Sequence, residues 1–323
     1  MSTERYYELH GVGVRVASDR RGPLETAHLF LEHFGLEPVD CATADLLFEL
    51  RGEVHLESRR PGQWVEIPGC GLSVLDEGDE VTVRSREAEI RFDPRAGRAE
   101  LTASRNGDGR FNVNLLSFAL LSMLRGRKLY PLHAACVAQN GAGLLIVADS
   151  GGGKTTLAGR LMMSGWSYLS DDSVLLRPVT GGVEALALRR DLFVRPGSLE
   201  LADGTDPETW RDTEKLRVDV RRRFRDRLAE RCPVSVTVFP EIVGRDHSSL
   251  ETFPAEEALR LATQQSLVAE LDRSFARPHL EALARLVTAT RCWRLEAGRD
   301  LIKNPGRAHT LLLPLVSGDG VHH

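Results

Sequence analysis

Residues 143–165 read "GLLIVADSGGGKTTLAGRLMMSG", and the reading of this stretch sets the expected fold. "GLLIVA" (143–148) is a continuous apolar run suited to a central strand. "DSGGG" (149–153) cannot continue as regular structure, because consecutive glycines favour a turning backbone. "KTTLAGRLMMSG" carries Leu157, Leu161 and Met162 at helical spacing and stops at Gly165. A strand, a glycine-rich loop and a helix in that order form the context in which [GA]-x-x-x-x-G-K-T is a phosphate-binding P-loop. Ala148 stands where the first Gly of that pattern is usual. The position ends the strand and needs a small side chain more than a positive φ.

Each residue type in the loop has a chemical reason. Gly151, Gly152 and Gly153 let successive N–H groups turn inward toward phosphate oxygens, and the following helix adds its positive N-terminal end. Lys154 supplies a mobile cation for the β- and γ-phosphates, and the Thr155 hydroxyl is placed to ligate Mg²⁺. With Asp149, Ser150 and Thr156, these residues form the expected nucleotide-contacting set, with ATP and Mg²⁺ as the expected ligands.

Two further features gather around the loop. "HAACVAQ" and "AGLLIVA" flank Asn140-Gly141, a strong two-residue hairpin signal. If Gln139 faces Ala142, counting outward sets His133 opposite Ala148, at the mouth of the loop. Histidine is the natural proton carrier near neutral pH. Downstream, "GWSYLSDDSVLL" (165–176) follows the helix after a short connection, which predicts a return to a neighbouring parallel strand. Asp171 and Asp172 would then lie at the phosphate end of the sheet. Adjacent carboxylates with apolar flanks are costly unless matched by a cation or a proton. On opposite faces of a strand the two can divide their tasks. Asp171 is the expected general base and Asp172 the metal-facing acid, though the two assignments can be exchanged.

The rest of the chain frames this site. Its 323 residues suit two domains. Up to about residue 105, short alternating runs such as "GVGVRVA", "GDEVTVRS" and "AEIRFD" predict antiparallel β structure with one wet face. One helix, "TAHLFLEHFG", interrupts them, with Thr26 near its start and Gly35 as its stop. "NVNLLSFALLSMLRG" (112–126) predicts a helix with Asn114 as N-cap and Gly126 as stop. The expected division is a β-rich accessory domain over 1–110, a linking helix over 111–127 and an α/β domain over 128–323. The arginine-rich stretch 213–232 reads as a solvated helix face, with a docking surface for an acidic peptide or phosphate as the alternative. "PVSVTVFPEI" (233–242) reads as a buried strand, and "PAEEALRLATQQ", "HLEALARLVTA" and "GRAHTLLLPLV" as amphipathic helices.

Composition narrows the classes. A net charge of −4 argues against a nucleic-acid binder. The five cysteines form no CxxC pair, which points to reduced thiols in a cytoplasmic protein. The charged N-terminal stretch lacks the apolar run of an export signal, and no apolar segment approaches the ~18 residues of a membrane span.

Taken together, "LHAACV", "ADSGGGKTTLAGRL" and "GWSYLSDDSVLL" resemble the catalytic domain of the HPr kinase/phosphorylase family and its relatives, which include kinases of ribosomally made precursor peptides. Phosphoenolpyruvate carboxykinases share the same order of glycine loop and Asp-Asp pair. The resemblance covers roughly residues 128–315 and is most specific over 131–176. It implies an α/β P-loop kinase domain preceded by a smaller β-rich domain. It further implies transfer of the γ-phosphoryl group of ATP to a hydroxyl, most simply a Ser or Thr of a peptide or small protein. Lys154, Thr155, Asp171, Asp172 and His133 take the family's phosphate, metal and proton roles. "RDLFVR" corresponds to a basic stretch of related kinases, which makes Arg190 and Arg195 candidate phosphate or substrate contacts. Thr156 stands where the bifunctional enzymes carry an acidic residue, and the glycine-rich segment associated with phosphorolysis is missing, so the kinase direction is the one implied. A small-molecule kinase and an ATP-dependent regulatory or scaffold switch are the alternatives. Family members are often homo-oligomers, although no residue here shows it. Neither a nucleic-acid nor a membrane partner is expected.

Overall fold

A computed structural model describes residues 3–40, 43–54, 61–67, 69–104, 112–188, 192–194, 216–218, 220, 224–304 and 306–317. The protein is mixed α/β with two mixed sheets. It divides into two compact units, Met1–Pro131 with Leu267–His279, and Leu132–Ser266 with Leu280–His323. Among the described residues, no helix is long and apolar enough to cross a membrane.

The first unit holds a sheet of β1 (Thr3–Leu9), β2 (Val12–Ser18), β3 (Glu37–Val39), β4 (Leu46–Val54), β5 (Val65–Ile67), β6 (Leu72–Asp76), β7 (Val81–Arg84), β8 (Ala88–Asp93) and β9 (Arg98–Ser104). Their order is β3-β1-β2-β4-β9-β8-β7-β6-β5. The expected antiparallel pattern fails at two joints, since β2–β4 and β4–β9 are parallel. Alternation reports a half-buried face and is the same for either direction of pairing. Helix α1 spans Arg21–His33, starting five residues before Thr26. Its first turn contains Pro23, whose missing N–H has no intrahelical partner to lose there. Gly35, at φ 81°, ends it as expected.

Helix α2 (Asn114–Arg125) starts one residue earlier than an Asn114 cap allows. The side-chain oxygen of Asn112 accepts the Asn114 amide at 3.0 Å. Gly126 keeps right-handed helical angles, and Lys128, at φ 60°, makes the left-handed turn instead. This helix belongs to the first unit and is not a linker. Most of its residues are buried, and Phe118 packs 6.2 Å from Phe92 of β8 between ring centroids. The chain then runs along β10 (Tyr130–Leu132) into the second unit.

There, β11 (Ala134–Gln139) and β12 (Ala142–Val147) form a hairpin over Asn140-Gly141, with φ of 53° and 79°. Both positive values are what a type I′ turn requires. The ladder runs from Gln139↔Ala142 to Ala134↔Val147, so His133 lies one residue beyond the last pair, level with Ala148. Helix α3 (Lys154–Met163) follows the glycine loop and β13 (Ser167–Ser170) follows α3. Here the expected topology is corrected: β13 pairs antiparallel with β11 and does not neighbour β12. Because β11 is antiparallel to both, β12 and β13 still end on the same side of the sheet.

The remaining strands are β14 (Val174–Val179), β15 (Gly182–Ala187), β16 (Leu192–Val194), β17 (Leu216–Val218), β18 (Arg231–Ile242), β19 (Ser249–Thr252) and β20 (Arg291–Ala297). Strand β18 is the buried strand expected from "PVSVTVFPEI". It lies parallel to β12 on one side and to β20 on the other, with β15 beside its first residues. The described residues of the arginine-rich stretch include β17, a helical Val220, a 3₁₀ turn at Arg225–Arg227 and the start of β18. The three amphipathic segments form α4 (Ala255–Gln264), α6 (Ala276–Ala289) and α8 (Arg307–Ser317). The short α5 (Leu267–Leu271) and α7 (Asp300–Lys303) lie between them.

Packing fixes α3 against the sheet. Ala135 and Val137 of β11 and Leu144 and Ile146 of β12 alternate onto one face. Leu157, Ala158, Leu161 and Met162 of α3 join the same core, together with Leu312 and Leu315 of α8. Burying each such leucine stabilises the fold by roughly 1.5–3 kcal/mol.

Candidate functional site

Three chain segments converge where β12 and β13 end and β11 begins. The first is the glycine loop. Gly151 (φ 84°) and Gly153 (φ 91°) hold left-handed angles that side-chain-bearing residues rarely adopt. Gly152 is required for space, because a Cβ there would meet the Ala148 methyl at 2.7 Å. Ala148 thus sits directly against the loop backbone, where only a small side chain fits. No side chain caps α3, so the amides of its first turn, which includes Thr155 and Thr156, are left to a ligand or to water.

Lys154 is buried, and its ammonium donates to the carbonyls of Ala148 (2.6 Å) and Asp149 (3.1 Å). The lysine is folded onto its own loop, within reach of any anion seated there. Asp149 and Ser150 are exposed at the loop's outer edge.

The second segment is His133, in the bend between β10 and β11. Its Nδ1 lies 2.6 Å from the Asp172 carbonyl and 3.7 Å from an Asp172 carboxylate oxygen. A carbonyl only accepts, so Nδ1 carries the hydrogen and Nε2 is the basic nitrogen of the neutral ring.

The third segment is the acidic pair. Asp171 and Asp172 lie in a bend between β13 and β14 rather than on a strand. Their separation into two environments therefore comes from the turn and not from strand alternation. The Ser170 hydroxyl closes this bend by donating to the Ser173 carbonyl at 2.6 Å. Asp171 is 3 % exposed, while the Asp172 side chain is half-buried beside His133.

Gln265, at the end of α4, joins these segments and was not singled out in the sequence. Its backbone carbonyl accepts the His133 amide at 3.0 Å. Its side-chain amide donates to an Asp149 carboxylate oxygen at 2.6 Å. A continuous line of contacts therefore runs Asp149–Gln265–His133–Asp172, from the glycine loop to the acidic bend. Gln265 lies 116 residues from Asp149 in the sequence, where no local pattern announces the role.

Among the described residues, no group of three or more His, Cys, Asp or Glu gathers as a metal site. A divalent cation here would take Thr155 and Asp172 as protein ligands and draw its remaining oxygens from bound phosphates, which suits Mg²⁺. Arg190 and Arg195 lie outside the described residues.

The class of protein so defined is a mixed α/β chain with a glycine loop at the carboxyl end of a central strand and a buried acid two strands away. Residues 109–188, about a quarter of the chain, match the family model described as SynChlorMet cassette protein ScmC. The matched segment contains the hairpin, the glycine loop and the acidic bend. Among solved structures, the Hpr(Ser) kinase/phosphatase from Coxiella burnetii is similar, at 14% identity and a TM-score of 0.30. That likeness covers 57% of this chain and 97% of the other. No curated protein matches the chain.

Proposed function

We propose that the protein is an ATP-dependent kinase that transfers the γ-phosphoryl group to a hydroxyl, most simply a Ser or Thr of a peptide or small protein. The observation that carries this reading is the line Asp149–Gln265–His133–Asp172, which sets a loop suited to phosphate beside a pair of carboxylates.

In this reading the loop amides and Lys154 hold the β- and γ-phosphates, the lysine exchanging its two carbonyl contacts for phosphate oxygens. Asp171 accepts the proton of the attacking hydroxyl as its oxygen bonds to the γ-phosphorus. The bond from that phosphorus to the β–γ bridging oxygen breaks, and ADP leaves. Asp172 and Thr155 would hold Mg²⁺, which neutralises charge on the phosphates. His133, anchored through Nδ1, keeps the acidic bend in place.

The test is incubation with γ-labelled ATP and a panel of Ser- and Thr-containing peptides, starting with those encoded beside the gene. Label should appear on a hydroxyl and vanish in Asp171→Asn, whereas Lys154→Ala should abolish the ATP-induced rise in melting temperature. ATP hydrolysis with no acceptor labelled across the panel would favour the switch reading and sink the kinase.

A further inference from the structure

A pocket of about 100 Å³ opens beside the glycine loop, at the carboxyl ends of β18 and β20. Gly153 and Thr156 form its loop side, and Ala297, Leu301, Ile242 and Ile302 form much of the rest. In open parallel sheets, ligands bind in just such a crevice outside the strand ends. Ile242 and Ile302 are 64 % and 62 % exposed. Single exposed aliphatics are ordinary, but these two stand together on one pocket.

Several polar groups of this pocket are already engaged, and Nε and Nη1 of Arg160 are enclosed without a hydrogen-bond partner among the described residues. The Ala297 carbonyl accepts the Val243 amide at 3.0 Å, and the Gly298 amide donates to the Ser248 hydroxyl at 2.9 Å. The Ile302 carbonyl accepts from Nη2 of the buried Arg160 at 3.1 Å. Pro240, also in the lining, has no N–H. The outer wall is fixed in advance. Asp300 accepts from the Ser248 amide at 3.1 Å, from the Ser248 hydroxyl and from Arg307 Nε at 3.0 Å. Burial pushes the Asp300 carboxyl up, but these donors outweigh it and hold its pKa at about 2.

We propose that this pocket takes the heterocyclic base of a nucleoside triphosphate whose phosphates lie in the glycine loop, and that the base is held by apolar burial rather than read by hydrogen bonds. Arg160 is a positioning residue, tying the backbone at Ile302 to α3. The inference rests on the nucleotide reading above and adds a specificity to it. A site built to hydrogen-bond its ligand rejects an unmatched analogue strongly, whereas an apolar pocket discriminates weakly between shapes of similar size. ATP and GTP should therefore bind alike.

Calorimetric titration of the full chain with Mg-ATP, Mg-GTP and Mg-tripolyphosphate tests this. The two nucleotides should agree within about threefold, and tripolyphosphate, which lacks a base, should bind at least about tenfold more weakly. The double substitution Ile242→Ser with Ile302→Ser changes two exposed side chains and should spare the fold. It should weaken both nucleotides about tenfold and leave tripolyphosphate unchanged. Tripolyphosphate binding as tightly as ATP, or the double variant weakening all three equally or none, overturns the base site while sparing the phosphate loop. A preference between ATP and GTP above about thirtyfold overturns the absence of hydrogen-bond reading. Failure of all three to bind overturns the nucleotide reading and the base site with it.

Discussion

In the first unit, Arg125 is 1 % exposed. It donates to the carbonyls of Val268 (2.7 Å) and Asp272 (2.9 Å), and lies 3.6 Å from the Asp272 carboxylate, which also accepts from Ser122. In the second unit, Lys154 is buried almost as deeply but rests on two carbonyls of its own loop. Burial lowers the pKa of Arg125, and the Asp272 carboxylate opposes that shift. The arginine is tied to segments more than 140 residues away in sequence, while the lysine's two acceptors lie within six. Depth alone does not separate a structural charge from a functional one. What separates them is whether the partners could be exchanged without opening the fold.

The contrast can be broken by substitution. Arg125→Met leaves Asp272 as a buried carboxylate without its cation and should cost about 3–5 kcal/mol in denaturant unfolding. Lys154→Met vacates hydrogen bonds to two carbonyls of its own loop and should cost less than Arg125→Met in the same measurement. Equal losses in the two variants would erase the distinction.

A smaller effect asks whether the second unit is packed as tightly away from its loop. A Cβ on Gly143 would meet the Cys232 sulfur at 2.5 Å and the Pro233 carbonyl oxygen at 2.9 Å. Gly143→Ala should destabilise by about 1–3 kcal/mol, and adding Cys232→Ala should restore part of the loss. No change in unfolding midpoint would mean that this face yields easily.

The smallest effect is a pH dependence confined to the first unit. Burial, and then the Arg125 charge, lower the pKa of His279 to about 3, against an opposing backbone hydrogen bond at Pro131. The folded chain keeps this histidine neutral while the unfolded chain protonates it near pH 6.5. Its contribution is thus complete above that value and is lost as pH falls toward 3. Between pH 7 and 5.5 the loss should be about 1 kcal/mol. His279→Leu should flatten the curve of unfolding free energy against pH in this window, and an unchanged slope would contradict the assignment.

The strand–loop–helix order around Lys154 was legible because three local signals agree there: an apolar run, consecutive glycines and helical spacing. The register that sets His133 level with Ala148 was legible because Asn-Gly fixes a two-residue turn. What stayed hidden depends on distant neighbours. Direction of pairing at β2–β4 and β4–β9 leaves no mark on alternation. The insertion of β11 between β12 and β13 follows from the hairpin folding back across the return strand, which a short connection does not foretell. Gln265 ends an amphipathic helix whose pattern reports only its buried side, and Ile242 and Ile302 look like ordinary aliphatics until the sheet ends bring them to one rim.

The position of β11 also acts as a ruler. Neighbouring strands stand about 4.8 Å apart, so the ends of β12 and β13, separated by one strand, stand about 10 Å apart. An α-helix with its side chains is about 10–12 Å across, too wide to lie lengthwise between the glycine loop and the acidic bend. On the kinase reading, the acceptor hydroxyl must therefore project from a turn, a helix end or an extended segment. The width of a single strand thus limits the shape of substrate that can reach the phosphate.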